Sequence, residues 1–383
     1  MALLFGAGVL LVASPARADG NCKDKPAPIY GIGGSATKPL FGKVGAALAA
    51  ASPRTLVYQA PGACVGINGL LGDTKLTGTA SYWDADGKEQ TCTLDVPTTI
   101  DFVSMGNSAT SCPGVAALPA DVGDFEGPVN AYTLIAPVAS SQTSISREAA
   151  YFAFGFGQQG QAAPWVDESQ IYRRDPNAAV QLFLSIATGV PVEKFKGIDT
   201  KTNSGTVTAV AQSPKPEAAI GVVSGEVADA NRATVKILAY QHAGQRCGFW
   251  PDSSPTAFDK KSVRNGQYWM WAPLHFFAKV DAQKKIVNAA AADFIGLFTG
   301  ATAPPANVDM LSIETKSGTV PRCAMNVWRD GDLGDIRREA PEKPCGCAFE
   351  NIATGTTTCT ACTTDAQCGT STPTCRFGFC EAR

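Results

Sequence analysis

The placement of cysteine constrains this 383-residue chain more than any other feature. Of thirteen cysteines, seven (Cys345, Cys347, Cys359, Cys362, Cys368, Cys375 and Cys380) crowd into the last 39 residues. That run is rich in Thr, Gly and Ser and nearly devoid of aliphatic side chains, so it cannot build a core of its own and must be cross-linked. Cys359 and Cys362 have zinc-like spacing, but the spacings that follow and the lack of His in the tail do not continue it, and no metal is expected. Disulfides are expected instead, and with them an oxidising compartment. Seven is odd, so one tail cysteine is free, pairs with the body or pairs with another chain. The other six are Cys22, Cys64, Cys92, Cys112, Cys247 and Cys323. They suffice for three bridges, among which Cys64 with Cys92 and Cys247 with Cys323 are expected.

The N-terminus points to the same compartment. Residues Ala2 to Ala13 form an apolar stretch too short to span a bilayer, and Ala16-Arg17-Ala18 is a small-x-small cleavage site. Residues 1–18 therefore read as a signal peptide, with a mature periplasmic, secreted or cell-surface chain from Asp19. No later stretch has the length and apolarity of a membrane span. A formal net charge of −2 offers no basic field for nucleic acid.

Between Ile29 and Ala340 short β-rich runs alternate with Ala-rich helical ones, an α/β signature. Strands are expected over Thr55–Tyr58, Ile100–Val103, Ala131–Ala136 and Val235–Tyr240, and helices over Pro39–Ala51, Ser146–Gly155 and Ala178–Thr188. Leu76–Leu94 reads as a hairpin turning at Asp84-Ala85-Asp86-Gly87. The same tetrapeptide opens like a calcium loop but lacks the remaining ligands and the terminal Glu. Pro341-Glu342-Lys343-Pro344 is a linker, and the tail beyond it is expected to be dispensable for folding of the body.

Catalytic chemistry has little to draw on. There are two histidines, His242 and His275, each expected to be structural, and no nucleophile elbow, zinc-protease helix or phosphate loop. Gly31-x-Gly33-Gly34 lacks the spacing and downstream acid of a dinucleotide fingerprint, so neither a cofactor nor enzymatic activity is expected. Anion binding has more support. Gly33-Gly34-Ser35-Ala36 runs from a strand into a helix, where amides without intrahelical acceptors and a hydroxyl make an oxyanion seat. Similar junctions occur at Tyr58–Gly66, which includes Ala63, and at the hydroxyl-rich Ser140-Ser141. Arg173-Arg174-Asp175-Pro176-Asn177 sets guanidinium groups beside a carboxylate ahead of another helix.

These segments, in this order, resemble the phosphate-binding proteins of bacterial phosphate ABC transporters. The segment from Gly31 to Lys43 is similar to the family's opening strand, glycine turn and proline-led helix. Tyr58-Gln59…Gly62…Gly66 is similar to its second loop, and Ile100-Asp101-Phe102 to the strand leading to its third. Arg173-Arg174-Asp175 is similar to its arginine strand, and Ala219–Ser224 and Asn265–Phe277 to the stretches that complete its second lobe. The resemblance spans about residues 28–327 and implies a two-lobed, type II periplasmic-binding-protein fold with an interlobe cleft and a small disulfide-rich tail. It implies a first lobe over 19–129 and 273–340, a second over 130–272, and a tail over 341–383.

Its functional implication is a monomeric receptor for a small anionic solute such as phosphate, with an ABC permease as a further partner. Candidate ligand-binding residues are Gly33, Gly34, Ser35, Ala36, Ala63, Ser140, Ser141, Arg173, Arg174, Asp175 and Asn177. Departures stand beside the matches. The family's second-loop serine falls on Ala63, its third-loop aspartate on Gly106 or Asn107, and its Ser-Gly-Thr trio on Asn177-Ala178-Ala179. The other expectation is an interaction protein on a degenerate receptor fold, without a transport role.

Overall fold

The computed structural model describes residues 20–382; the expected leader lies outside them. The chain starts with β1 (Pro28–Gly33), α1 (Lys38–Ala51), β2 (Thr55–Gln59), α2 (Ala63–Leu71), β3 (Leu76–Trp83), β4 (Glu89–Thr98) and β5 (Phe102–Met105). Strand β1 pairs in parallel with β2 and β5. A parallel sheet carries helices on both faces, which is why β2 and β5 are buried almost throughout instead of at alternate residues. Helix α1 buries Leu40, Phe41, Val44 and Leu48 along one stripe, with Pro39 in its first turn. The β3–β4 hairpin extends the sheet edge, turning at Asp84, whose Oδ1 accepts from the amides of Asp86 and Lys88.

The chain then crosses over on the 16-residue β6 (Val122–Pro137) into a second lobe. This contains β7 (Ser144–Ser146), α3 (Arg147–Phe156), β8 (Ile171–Arg173), α4 (Ala179–Thr188), β9 (Ile198–Asp199), α5 (Asn203–Ala211), β10 (Ile220–Ser224), α6 (Gly225–Ala230), β11 (Val235–Ile237), β12 (Ala239–Gln241) and α7 (Lys261–Arg264). Ser146 caps α3, its Oγ accepting from Ala149 N at 3.1 Å. The return is β13 (Trp271–Lys279), followed by α8 (Ala289–Thr299), α9 (Met310–Lys316), β14 (Val327–Arg329) and β15 (Ile336–Arg338). The main sheet runs β4-β3-β2-β1-β5-β13-β6-β10-β8-β9, with β11 also on β6. Antiparallel β6 and β13 are thus the shared strands that join the lobes.

The tail forms α10 (Gly346–Thr354) and a ribbon of β16 (Thr374–Arg376) and β17 (Phe379–Glu381), stapled by Cys347–Cys359, Cys362–Cys375 and Cys368–Cys380. It does not hang free. Cys345 and Phe349 sit in the second lobe's core with Val263, Tyr268 and Met325, and the Arg264 guanidinium lies 5.1 Å over the Phe349 ring.

The expected body bridges are corrected. Cys92 bonds Cys22, and Cys64 bonds Cys112. The segment at Asn21 bridges Thr93 beside β4, while α2 packs on β5 and brings Cys64 to the loop that follows it. Cys323 bonds Cys345, which is the tail's odd cysteine, and leaves Cys247 exposed and free.

Candidate functional site

The turn after β1 is built for close approach. Gly33 has φ +154°, and any Cβ there would collide with the carbonyl of Ser104, so only glycine fits. Behind it Tyr58 is fully buried. Its hydroxyl donates to Gly34 O at 2.9 Å and lies 3.1 Å from both Thr37 Oγ1 and Ser104 Oγ. Burial pushes the Tyr58 phenol up to about 12, so it remains a neutral donor. The Gly34 amide is already spent on Ser104 O at 3.2 Å. Ser35 and Ala36 open the helical turn leading into α1, where by position their amides have no intrahelical acceptor.

At the junction that the resemblance assigns to phosphate, the lobes bond directly to one another. Cys64 N, in the first turn of α2, donates to Asn177 O of the second lobe at 3.4 Å. Gly62 faces Asn177, and Ala63 faces Gly34. Asn107 Nδ2 donates to Ala179 O at 3.1 Å. At Gly106, one of the two positions where the resemblance sets the third-loop aspartate, the side-chain space is taken by Tyr132, whose hydroxyl donates to Gly106 O and whose ring stacks on Phe183 at 4.3 Å. A Cβ on Gly106 would collide with that hydroxyl.

The expected arginines turn inward. Arg174 is buried, donating to Asn203 Oδ1 at 2.6 Å and Lys201 O at 2.8 Å, and burial holds its pKa below the usual guanidinium value. Arg173 donates to Arg174 O at 3.1 Å and lies 4.0 Å from Asp199. Asp175 lies 4.0 Å from Arg174, and its Oδ1 accepts from Asn177 N at 3.0 Å. Ser140 and Ser141 do hold an anion, but it is the chain's own: Glu217 accepts from Ser141 N at 2.6 Å and from both hydroxyls. Gly33, Gly34, Ser35, Ala63 and Asn177 therefore gather at one junction, while the two serines bind Glu217 at the surface of the second lobe and the guanidinium groups bond to partners within that lobe.

Beside this junction opens an interlobe cleft of about 1030 Å3. Ser35 and Lys38 at the start of α1 line it from the first lobe, and Thr202, Asn203 and Ser204 at the start of α5 line it from the second. Each is a helix N-terminus, where exposed amides and the helix dipole favour negative charge. Arg174 thus reaches the cleft through Asn203, whose Nδ2 donates to Ser224 Oγ at 3.2 Å. Ser224 in turn donates to Glu226 Oε1. Glu226 also lines the cleft; it is 8% exposed, and its Oε2 has no hydrogen bond. Burial pushes its carboxyl up to about 7, and Asp229 adds to this while Ser224 opposes it. Lys260, 3% exposed, holds Asp229 and Asp252 at 2.6 and 2.9 Å. Sequence reading missed Glu226, Asn203 and Tyr132, because nothing in a lone buried Glu, Asn or Tyr marks which cavity it meets. Ser224-Gly225-Glu226, a hydroxyl and an acid at a strand-to-helix junction, was the one available signal.

Both histidines are packed groups. His275 Nδ1 is 2.8 Å from Asp124, whose carboxylate outweighs the effect of burial and raises its pKa, while His242 stacks on Trp269 at 4.4 Å.

Two α/β lobes on shared crossing strands, with a cleft between, define the periplasmic-binding-protein class of fold. Two solved structures share it. A putative phosphate ABC transporter substrate-binding protein with bound phosphate from Clostridium perfringens matches 77% of this chain and 99% of its own, with a TM-score of 0.51 and 12% identity. An ABC-type phosphate transport receptor from Vibrio cholerae matches 77% of this chain and 100% of its own, with a TM-score of 0.50 and 12% identity. No protein-family model matches the sequence, and no curated protein is similar to it.

Proposed function

We propose that the chain is an extracytoplasmic solute-binding protein whose ligand carries an oxyanion and lies in the interlobe cleft. The observation that carries this is the convergence of two helix starts, Ser35 with Lys38 from one lobe and Thr202 to Ser204 from the other, on one cavity. The six disulfides and the leader-like N-terminus support an oxidising, exported setting. The phosphate-binding neighbours support an anionic ligand, and their names support delivery to an ABC permease; the receptor is proposed to act as a monomer.

One observation favours a second reading. The Cys64–Asn177 bond closes the junction that the resemblance assigns to phosphate, as expected of an interaction protein built on a receptor fold. Calorimetric titration of the mature chain with phosphate, sulfate and simple phosphonates separates the two. The receptor reading expects saturable binding, weakened by about 0.5–1.5 kcal/mol in Ser35→Ala through loss of one hydrogen bond. No heat at millimolar ligand would refute it in favour of the interaction protein.

A further inference from the structure

The cleft is far larger than a tetrahedral anion needs and falls at the top of the range for pockets that enclose drug-sized molecules. One end presents the hydroxyls and helix starts described above, with Lys38 tied to Glu89 and Ser81. The rest of the lining mixes polar residues with apolar ones, and the latter include Phe349, Ile352 and Ala353 of α10 in the disulfide-stapled tail, together with Phe258. Phe258 is 43% exposed and lies under the Arg232 guanidinium at 4.3 Å, while Ile352 and Ala353 are half-buried. The small-anion junction next door is bonded shut. Glu226, nine-tenths buried, lines the cavity and is linked through Ser224 to Asn203 at the start of α5.

We infer that the cleft takes an organic oxyanion, a phosphonate or phosphate monoester with an apolar substituent, whose substituent lies along helix α10, so that the cysteine-rich tail sets ligand choice. This rests on the receptor reading above and narrows it from oxyanions in general to those with an organic group. The anionic head would meet Ser35 and the start of α5, and the substituent would cover Ile352 and Ala353, removing apolar surface from water on both sides. Inorganic phosphate would fill only the polar end.

The test is calorimetric titration of the mature full chain with inorganic phosphate, methylphosphonate and phenylphosphonate, repeated on Ile352→Ala and Ala353→Phe. Thermal melts of each variant confirm that it is folded. Phenylphosphonate should bind at least about tenfold more tightly than phosphate, because burying a phenyl group contributes far more than a methyl. Ile352→Ala should weaken phenylphosphonate about fivefold by removing half-buried methyl groups from the wall. Ala353→Phe should weaken it too, by filling the space the substituent needs. Phosphate binding as tightly as phenylphosphonate would overturn the inference and leave the receptor reading standing. So would unchanged phenylphosphonate affinity in both folded variants. No binding of any of the three would overturn both.

Discussion

Glu226 makes the stability of this protein depend on pH in a direction opposite to that of ordinary salt-bridged acids. Its carboxyl is pushed from 4.5 to about 7, chiefly by burial. The folded state therefore holds a proton that the unfolded chain releases above pH 4.5. The stabilisation is fully present below the unfolded value and is lost as pH rises through the folded one. Over the full shift this amounts to about 3 kcal/mol at 1.36 kcal/mol per unit, and about 2–3 kcal/mol falls between pH 5 and pH 8. Glu226→Gln, which stays neutral, removes the dependence. Urea unfolding of both proteins at pH 5, 6, 7 and 8 should give curves that diverge, with the variant more stable by about 2–3 kcal/mol at pH 8 than its offset at pH 5. Glu314, pushed up to about 8 by burial, contributes equally to both and cancels in the difference. Parallel pH profiles would refute the reasoning, because they would mean that Glu226 ionises normally in the folded state.

Other perturbations follow from the same contacts. Replacing Cys64 and Cys112 together by Ala opens a loop with a sequence separation of 48, and the denaturant midpoint should fall by the equivalent of about 4 kcal/mol on the chain-entropy model. Phe349→Ala, at a residue 1% exposed, should cost about 3–5 kcal/mol, and deletion of residues 341–383 should cost at least as much; an unchanged melting temperature would mean that the tail does not belong to the core. Gly106→Asp should lower stability by about 1–3 kcal/mol through its collision with the Tyr132 hydroxyl, and titration should show no gain in phosphate affinity.

What the sequence determined by itself was local or periodic. The Asp-Gly turn and the alternation of apolar runs placed α1, α3, α4 and the β3–β4 hairpin close to where they lie, because a few neighbouring residues decide such features. The alternation of β-rich and helical runs indicated the α/β class, and the two lobes were implied by the resemblance of the ordered motifs to the phosphate-binding family. The parity of the cysteines showed that the tail had to be tied or left with a free thiol, though not to what. Tertiary structure decided which cysteines meet, because bridging requires Cα atoms about 5–6 Å apart and spacing along the chain carries no such information. It decided that the arginines at 173 and 174 point into their own lobe, since the α5 start that Arg174 serves is brought to it only by the sheet. It also decided that Tyr132 fills the space beside Gly106 and that a polar-looking tail contributes Phe349, Ile352 and Ala353 to the cleft lining. Burial is a property of what packs against a residue from distant parts of the chain, and no local pattern records it.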